Sequence, residues 1–334
     1  MRSNVGIRDV ARAAGVSVGT VSNVLNYPDQ VSTPTLAKVQ ATIKELGFVR
    51  NGLARQLRMG RGTAIGLVVV NVANPFFAGL AHELEAAAET AGHTVVIGSS
   101  DQNPAREQRY IDLFDEQRVR GLLIVPQHGM TPRLARLRAN GTPVVLFDSN
   151  VDSREVCSVG LDGDAGGYLA VRHLIETGRR RLVIAGGPLA QIGDRVAGAS
   201  RAARDNHDVT LSIMETSDLT VEEGRNVAER ILALPEQDRP DAVFATNDLL
   251  AIGLLQTLNV DGRLSVPDDI AIVGYDDIDF AASTIVPLTT IRQPRASLAR
   301  AALDLLEEEI DGDEAHQHGR HLLQPELIIR DSTT

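Results

Sequence analysis

Along the first fifty positions apolar residues recur every three or four places. From Ala64 onward they gather instead into short unbroken runs separated by amphipathic stretches. In the opening segment Ile7, Val10, Ala11 and Ala14 share one face of a helix. Gly15 can take the positive φ needed to leave that helix, and Ser17 stands where an N-cap hydroxyl accepts an orphan backbone N–H. A second helix then turns Val21, Val24 and Leu25 inward and leaves Val18, Gly19, Ser22 and Asn23 facing elsewhere. Two short helices about a glycine turn make a helix-turn-helix pattern, whose second helix suits the DNA major groove. A helical hairpin used only for packing is the plainer alternative. Ser32-Thr33-Pro34 then reads as a capping hydroxyl and a first-turn proline opening a third helix, with Val39, Ile43 and Leu46 as its stripe and Gly47 as its stop.

The run Ala64–Val70 is continuous and apolar, as in a parallel strand buried on both faces. The rhythm after it predicts helices at 76–91, 104–117 and 132–140, between strands at 93–98, 121–125, 143–147 and around Val159. A second series follows, with helices at 165–177, 191–205, 220–232 and 249–258 and strands at 181–185, 210–214, 242–246 and 270–275. An amphipathic helix at 295–310 and final strands near 322–330 complete the chain. Repeated βα units imply doubly wound α/β sheets. Two series in tandem imply two subdomains with a cleft at the carboxyl ends of their strands.

Charge sharpens this division. Residues 1–61 carry nine Lys and Arg against three Asp and Glu, a net of +6, so with a total of −11 the rest of the chain carries −17. A basic head on an acidic body places a polyanion at the head and keeps the body away from it. The junction Asn51–Arg61 is also basic, with Leu53, Ala54 and Leu57 at helical spacing beside Arg55 and Arg58. Fewer than ~12–15 residues rarely sustain a helix alone in water. The junction therefore reads as a linker, or as a helix that folds on a minor groove with a leucine wedged between base steps. No stretch approaches the ~20 apolar residues of a membrane span, and the polar N-terminus lacks a signal-peptide core. The single cysteine, Cys157, excludes an internal disulfide and suits a reducing cytoplasm.

An α/β body raises the question of enzymatic chemistry. No glycine-rich dinucleotide or phosphate loop follows a strand, and no G-x-S-x-G elbow is present, so no catalytic residue or cofactor is expected. His316, His318 and His321 lie close together among glycines and acids; without a motif frame, metal binding is the weaker reading and a solvated loop the better one. Polar residues at strand ends are Asn74, Asp148, Asp162, Arg195, Asn247, Asp248 and Asp276, with Arg195 opening a helix. Helix capping accounts well for Asp162, Asp164 and Asp248. Phe76, Phe77 and Phe280 offer either cleft walls or core packing.

Ile7, Val10 and Ala11, then Gly15-Val16-Ser17, Thr20-Val21-Ser22, Val24-Leu25-Asn26 and Ala54-Arg55-Gln56-Leu57 together resemble the lactose-repressor/galactose-repressor (LacI/GalR) family. The similarity covers nearly the whole chain. It implies a dimeric, ligand-controlled regulator of transcription with a hinge helix and a periplasmic-binding-protein-like core. The implied division is a DNA-binding head at 1–50, a hinge at 51–62, one core subdomain at 63–161 and 293–322, and another at 162–292 and 323–334. By resemblance the DNA-facing set is Ser17, Val18, Gly19, Thr20, Ser22, Asn23 and Asn26 of the head with Asn51, Ala54, Arg55 and Leu57 of the hinge. Val18, Gly19 and Asn23 match base-reading positions, and Leu57 matches the minor-groove wedge. Here the chain departs from the pattern, because Val18 and Gly19 bring no bidentate donor. More of the specificity then falls to the hinge and to DNA shape. The implied effector set is Asn74, Phe76, Phe77, Asp148, Arg195, Asn247, Asp276 and Gln293, a chemistry suited to a polyhydroxylated ligand. Leu219 stands where some sugar-responsive members carry an aromatic platform, so the expected ligand is a sugar or related small metabolite. The absence of a leucine-heptad tail favours a homodimer over a tetramer. A solute-binding protein with the same body is the main rival, and it predicts a signal peptide and no basic head.

Overall fold

The computed structural model describes residues 5–48, 62–127, 129–147, 155–312 and 316–334. The chain divides into two compact units, Met1–Gly62 and Thr63–Thr334. In the first, α1 (Ile7–Ala14), α2 (Val18–Asn26) and α3 (Thr33–Leu46) close over Val10, Ala11, Ala14, Val21, Val24 and Val39. Leu25 and Ile43 are half-buried against this core. So few buried side chains give a core of modest stability. Gly15 has φ +62° and its amide bonds back to the end of α1, the left-handed exit that a Cβ would oppose. Ser32 does flank α3, but its hydroxyl pairs with Thr35 Oγ1 at 2.9 Å and caps no backbone amide. A 3-10 turn at Pro28–Gln30, which apolar spacing does not reveal, joins α2 to α3.

The second unit holds two six-stranded sheets. The strands of the first are β1 (Ala64–Val69), β2 (Thr94–Ser99), β3 (Gly121–Ile124), β4 (Val144–Phe147), β5 (Cys157–Leu161) and β11 (Arg320–Leu323). Their order is β11-β5-β4-β3-β1-β2, and every pairing is parallel. The second sheet contains β6 (Arg181–Gly186), β7 (Thr210–Glu215), β8 (Ala242–Ala245), β9 (Ala271–Asp276), β10 (Thr289–Arg292) and β12 (Glu326–Ile328), in the order β12-β10-β9-β8-β6-β7. Its edge strand β12 runs antiparallel to β10, so this sheet is not wholly parallel as the βα rhythm implies. The strands β1, β3, β4, β8 and β9 are buried almost throughout, which is why they read as unbroken apolar runs.

Helices α4 (Pro75–Thr90), α5 (Pro104–Glu116) and α6 (Pro132–Ala139) connect strands of the first sheet. Helices α7 (Gly163–Glu176), α8 (Leu189–Arg204), α9 (Val221–Ala233) and α10 (Asp248–Asp261) do so in the second. The chain passes between sheets three times: from β5 into α7, from β10 into α11 (Arg295–Asp311), and from β11 into β12. The long helix α11 returns to pack on α4 and on the first sheet. Small residues let α7 and α8 approach closely. A Cβ on Gly167 would lie 1.9 Å from the Arg195 carbonyl oxygen, and one on Gly198 would lie 1.8 Å from that of Asp164.

Candidate functional site

Within the head, Ser17 caps α2 by accepting from the Thr20 amide at 3.0 Å, and its Oγ also meets Thr20 Oγ1 at 2.8 Å. The cap fixes the N-terminal turn of α2 while Val21 and Val24 anchor its inner face. Val18, Gly19 and Asn23 are exposed together on the outer face, with Val18 43% accessible although it is apolar. Ser22 and Thr20 are half-buried beside them. Asn26 turns its amide back onto Ser22, donating to the carbonyl at 2.8 Å. This face offers a methyl-bearing side chain, a bare backbone and one amide. It suits thymine methyl contact and a single amide–base pairing better than a fork on guanine. Asn51, Ala54, Arg55 and Leu57 lie outside the described residues.

In the body, the strand ends of the second sheet bring Arg195, Tyr275, Asp276, Gln293, Asn247 and Asp248 into one polar cluster. Arg195 lies in the second turn of α8 instead of opening that helix. The glycine contacts between α7 and α8 seat it there. Its guanidinium donates to the Thr246 carbonyl and stacks 3.9 Å from the centre of the Tyr275 ring. Asp276 ends β9, is buried, and accepts from Gln293 Nε2 at 2.7 Å. It holds φ +113°, and Asp277 beside it holds φ +50°. Non-glycine residues at such angles store strain that the surroundings must hold in place. Asp277 supplies that restraint through Arg292 at 2.7 Å and Arg330 at 2.6 Å. The geometry keeps the Asp276 carboxylate and the Gln293 amide fixed at the mouth of the sheet.

Several expectations for the cleft are corrected. Phe76 is only 2% exposed and packs in the core with its helix neighbours Leu80 and Leu84, so its reading as a cleft wall gives way to core packing. Phe77 is half-buried and meets Phe76 edge-on at 5.2 Å, while Phe280 is exposed at 61%. Asn74 caps α4 through the Phe76 amide at 3.0 Å. Asn247 is buried, accepting from the Leu250 amide at 2.9 Å and donating one N–H to the Leu219 carbonyl at 3.0 Å. It fixes Leu219 at the site and caps α10 in one stroke. Asp162 does cap its helix, accepting from the Ala165 amide at 2.9 Å. Asp248 and Asp164 do not. Asp164 pairs with Arg201. Asp248 is buried, accepting from Thr290 Oγ1 at 2.6 Å and from the Ile278 amide at 2.9 Å. Burial, with the nearby Asp276 charge, pushes its pKa well above the ordinary carboxylate value. Asp148 lies outside the described residues.

The first sheet meets the second across the cleft through side chains that strand patterns do not single out. Gln102 follows β2, donates to Asp218 Oδ1 at 3.1 Å and accepts from Gln191 Nε2 at 2.8 Å. Asp101 and Gln102 both have φ +53°, so this bridge is also held in a strained turn. The solvated-loop reading of the histidines fails: His321 is exposed but lies in strand β11, paired with β5. His316 and His318 are mostly covered and lie against Glu309 and Cys157.

Residues 6–51 match the family model described as bacterial regulatory proteins of the lacI family, and residues 171–333 match that of the periplasmic binding protein-like domain. The chain is 33% identical to the HTH-type transcriptional repressor PurR of Photobacterium profundum, over 98% of each chain. It is 34% identical to the ribose operon repressor of Escherichia coli (strain K12), over 98% of this chain and 99% of the relative. A crystal structure of the lac repressor dimer bound to operator and the anti-inducer ONPF superimposes with a TM-score of 0.82 at 27% identity, over 99% of both chains.

Proposed function

The chain belongs to the lacI family of bacterial regulatory proteins, ligand-responsive DNA-binding repressors and not enzymes, and on that premise we propose how its own residues do the work. Two copies associate through the body and present two heads to a pseudo-palindromic operator, each α2 entering a major groove. Val18 meets a thymine methyl and Asn23 reads a base edge, while Ser17, Thr20, Ser22 and Asn26 serve the backbone side of the helix. The hinge around Asn51, Ala54 and Arg55 folds on the minor groove, with Leu57 as the wedge. Basic residues of head and hinge supply the salt-dependent share of affinity. The protein works in the cytoplasm, where its DNA is. Among the described residues no helix is long and apolar enough to cross a membrane.

The observation that carries the control side of this reading is the Asp276–Gln293 pair, held in strained backbone at the strand ends beside Arg195 on Tyr275. A carboxylate, an amide and a guanidinium at one cleft suit a ligand rich in hydroxyls, a sugar or related small metabolite. Among the relatives, one is named for the ribose operon and a solved structure holds cellobiose. Leu219 leaves the sugar face without an aromatic platform, so hydrogen bonds dominate recognition. Phe77 and Asp148 face the ligand from the first subdomain (63–161 with 293–322), where Asn74 caps α4 beside them, and Asn247 shapes the cleft from the second (162–292 with 323–334). The ligand changes how the two subdomains meet, and with that the cost of folding the hinge on DNA. A coupling of ~1–3 kcal/mol changes DNA affinity ~5–150-fold. The test is fluorescence anisotropy of a palindromic duplex with the full chain, repeated across a panel of sugars. One sugar is expected to shift affinity by that factor in the parent and to have no effect in Asp276→Ala, which still binds DNA. A response retained by Asp276→Ala would remove this carboxylate from the site.

A further inference from the structure

At the amino end of β5, opposite the carboxyl ends that form the cleft, lies a second cluster of chemistry-bearing side chains. Cys157 opens β5, Glu309 lies in the last turns of α11, and His316 and His318 precede β11. One donor atom from each of these four lies within 4.8 Å of all the others. Cys157 Sγ is 3.1 Å from His316 Nε2 and 3.7 Å from His318 Nδ1. Glu309 Oε1 is 2.8 Å from His318 Nδ1 and 3.7 Å from His316 Nε2. Ligands arranged tetrahedrally about an ion at ~2.0–2.3 Å stand roughly 3.3–3.8 Å apart, so small adjustments separate this cluster from a coordination shell.

The Glu309 side chain is only 9% exposed, and its Oε1 lies within ion-pair range of both imidazoles without completing a well-formed hydrogen bond. A buried carboxylate held only by such contacts is incompletely compensated for its lost hydration, and a cation among these donors supplies the rest. The outer contacts also orient the donors. His316 Nδ1 faces Glu308 at 3.2 Å, which leaves Nε2 as the ring atom turned inward. Arg138 lies 3.6 Å from the outer Glu309 oxygen and donates toward His318 Nε2 at 3.2 Å, so without an ion His318 Nδ1 carries the ring proton toward Glu309; ligation by Nδ1 moves that proton to Nε2 and turns Arg138 wholly to Glu309. A buried cysteine usually packs as a small hydrophobe. This sulfur instead faces two imidazoles and a carboxylate.

We propose that Cys157, Glu309, His316 and His318 form a closed, four-ligand site for a transition-metal cation of the Zn2+ type. Thiolate and imidazole donors select such an ion over Mg2+ or Ca2+, and four protein ligands mark a structural site. Bound there, the ion ties the end of α11 and the segment before β11 to β5. It thereby stiffens the first sheet at the end remote from the cleft.

The test uses the tag-free full chain, reduced and stripped with chelator, then titrated with Zn2+ calorimetrically and with Co2+ as a spectroscopic probe. One ion per chain, a thiolate-to-cobalt charge-transfer band and a chelator-reversible rise in melting temperature are expected, with no response to Mg2+. Cys157→Ser abolishes the band, and both Cys157→Ser and His318→Asn weaken Zn2+ binding by more than about 100-fold, beyond the usual effect of losing an outer-shell partner. His321→Asn, at the exposed histidine outside the cluster, leaves binding unchanged. Should Cys157→Ser fail to fold, the partly exposed His318 carries the decision alone. No saturable binding of Zn2+ or Co2+ by the parent, or equal binding by parent and His318→Asn, would overturn the site.

Discussion

Replacing Asp248 by Asn tests how the second sheet tolerates a buried acid beneath the cleft. Asp248 is fully buried, and its two oxygens accept from Thr290 and from the Ile278 amide. Those bonds favour the carboxylate, but burial and the Asp276 charge outweigh them, so the folded-state pKa is raised well above 3.8. The sign follows from proton linkage. Below the unfolded value the group is protonated in both states and its contribution is fully present. As pH rises toward the folded value, the unfolded chain releases the proton first, and stability falls by up to ~1.36 kcal/mol per pH unit until the folded group also ionises. Asn mimics the neutral acid: its oxygen accepts from Ile278 and its NH2 donates to Thr290. The variant therefore loses this downward slope and is more stable than the parent at neutral pH. Urea midpoints of the full chain, taken from pH 4 upward and followed in the body's transition, measure the difference. An unchanged slope, or a variant less stable than the parent by more than ~1 kcal/mol at neutral pH, would refute the reasoning.

Three further outcomes follow from the same geometry. Ser17→Ala removes the α2 cap and lowers head stability by ~0.5–2 kcal/mol, read as a lower melting temperature of the head and weaker duplex binding. Gly198→Ala drives a Cβ to 1.8 Å from the Asp164 carbonyl oxygen and must part α7 from α8; a loss of ~1–3 kcal/mol is expected in denaturant melts, with Arg195 displaced from Tyr275. Leu57→Ala weakens operator binding far more than binding to random DNA, and equal losses in competition titrations would dismiss the wedge.

Local patterns carried much of this account. The head's apolar spacing places Val10, Ala11, Ala14, Val21 and Val24 inward, and all five are buried. The unbroken runs of β1, β4, β8 and β9 mark strands covered on both faces. Sequence was less informative wherever one residue serves partners far along the chain. Phe76 follows a strand as a cleft residue would, yet it packs in the core with Leu80 and Leu84. Asn247 looks like a ligand donor, yet it also caps α10 and holds Leu219, two tasks that its position after a strand does not reveal. Strand β10 is four residues long between Pro287 and Pro294 and carries two threonines, so no apolar run announces it. Cys157 and His318 are 161 positions apart, and no local spacing rule joins them. The Gln102 bridge joins side chains from three separate loops and helices in the same way.

The central claim is that the basic head, under control of an acidic body, delivers this protein to DNA. The most direct measurement compares duplex binding by the full chain with binding by residues 63–334, by anisotropy at two salt concentrations. Tight, strongly salt-dependent binding is expected of the full chain and none of the body, which carries a net charge of −17 without residues 1–61. Undiminished affinity in the headless body would contradict it.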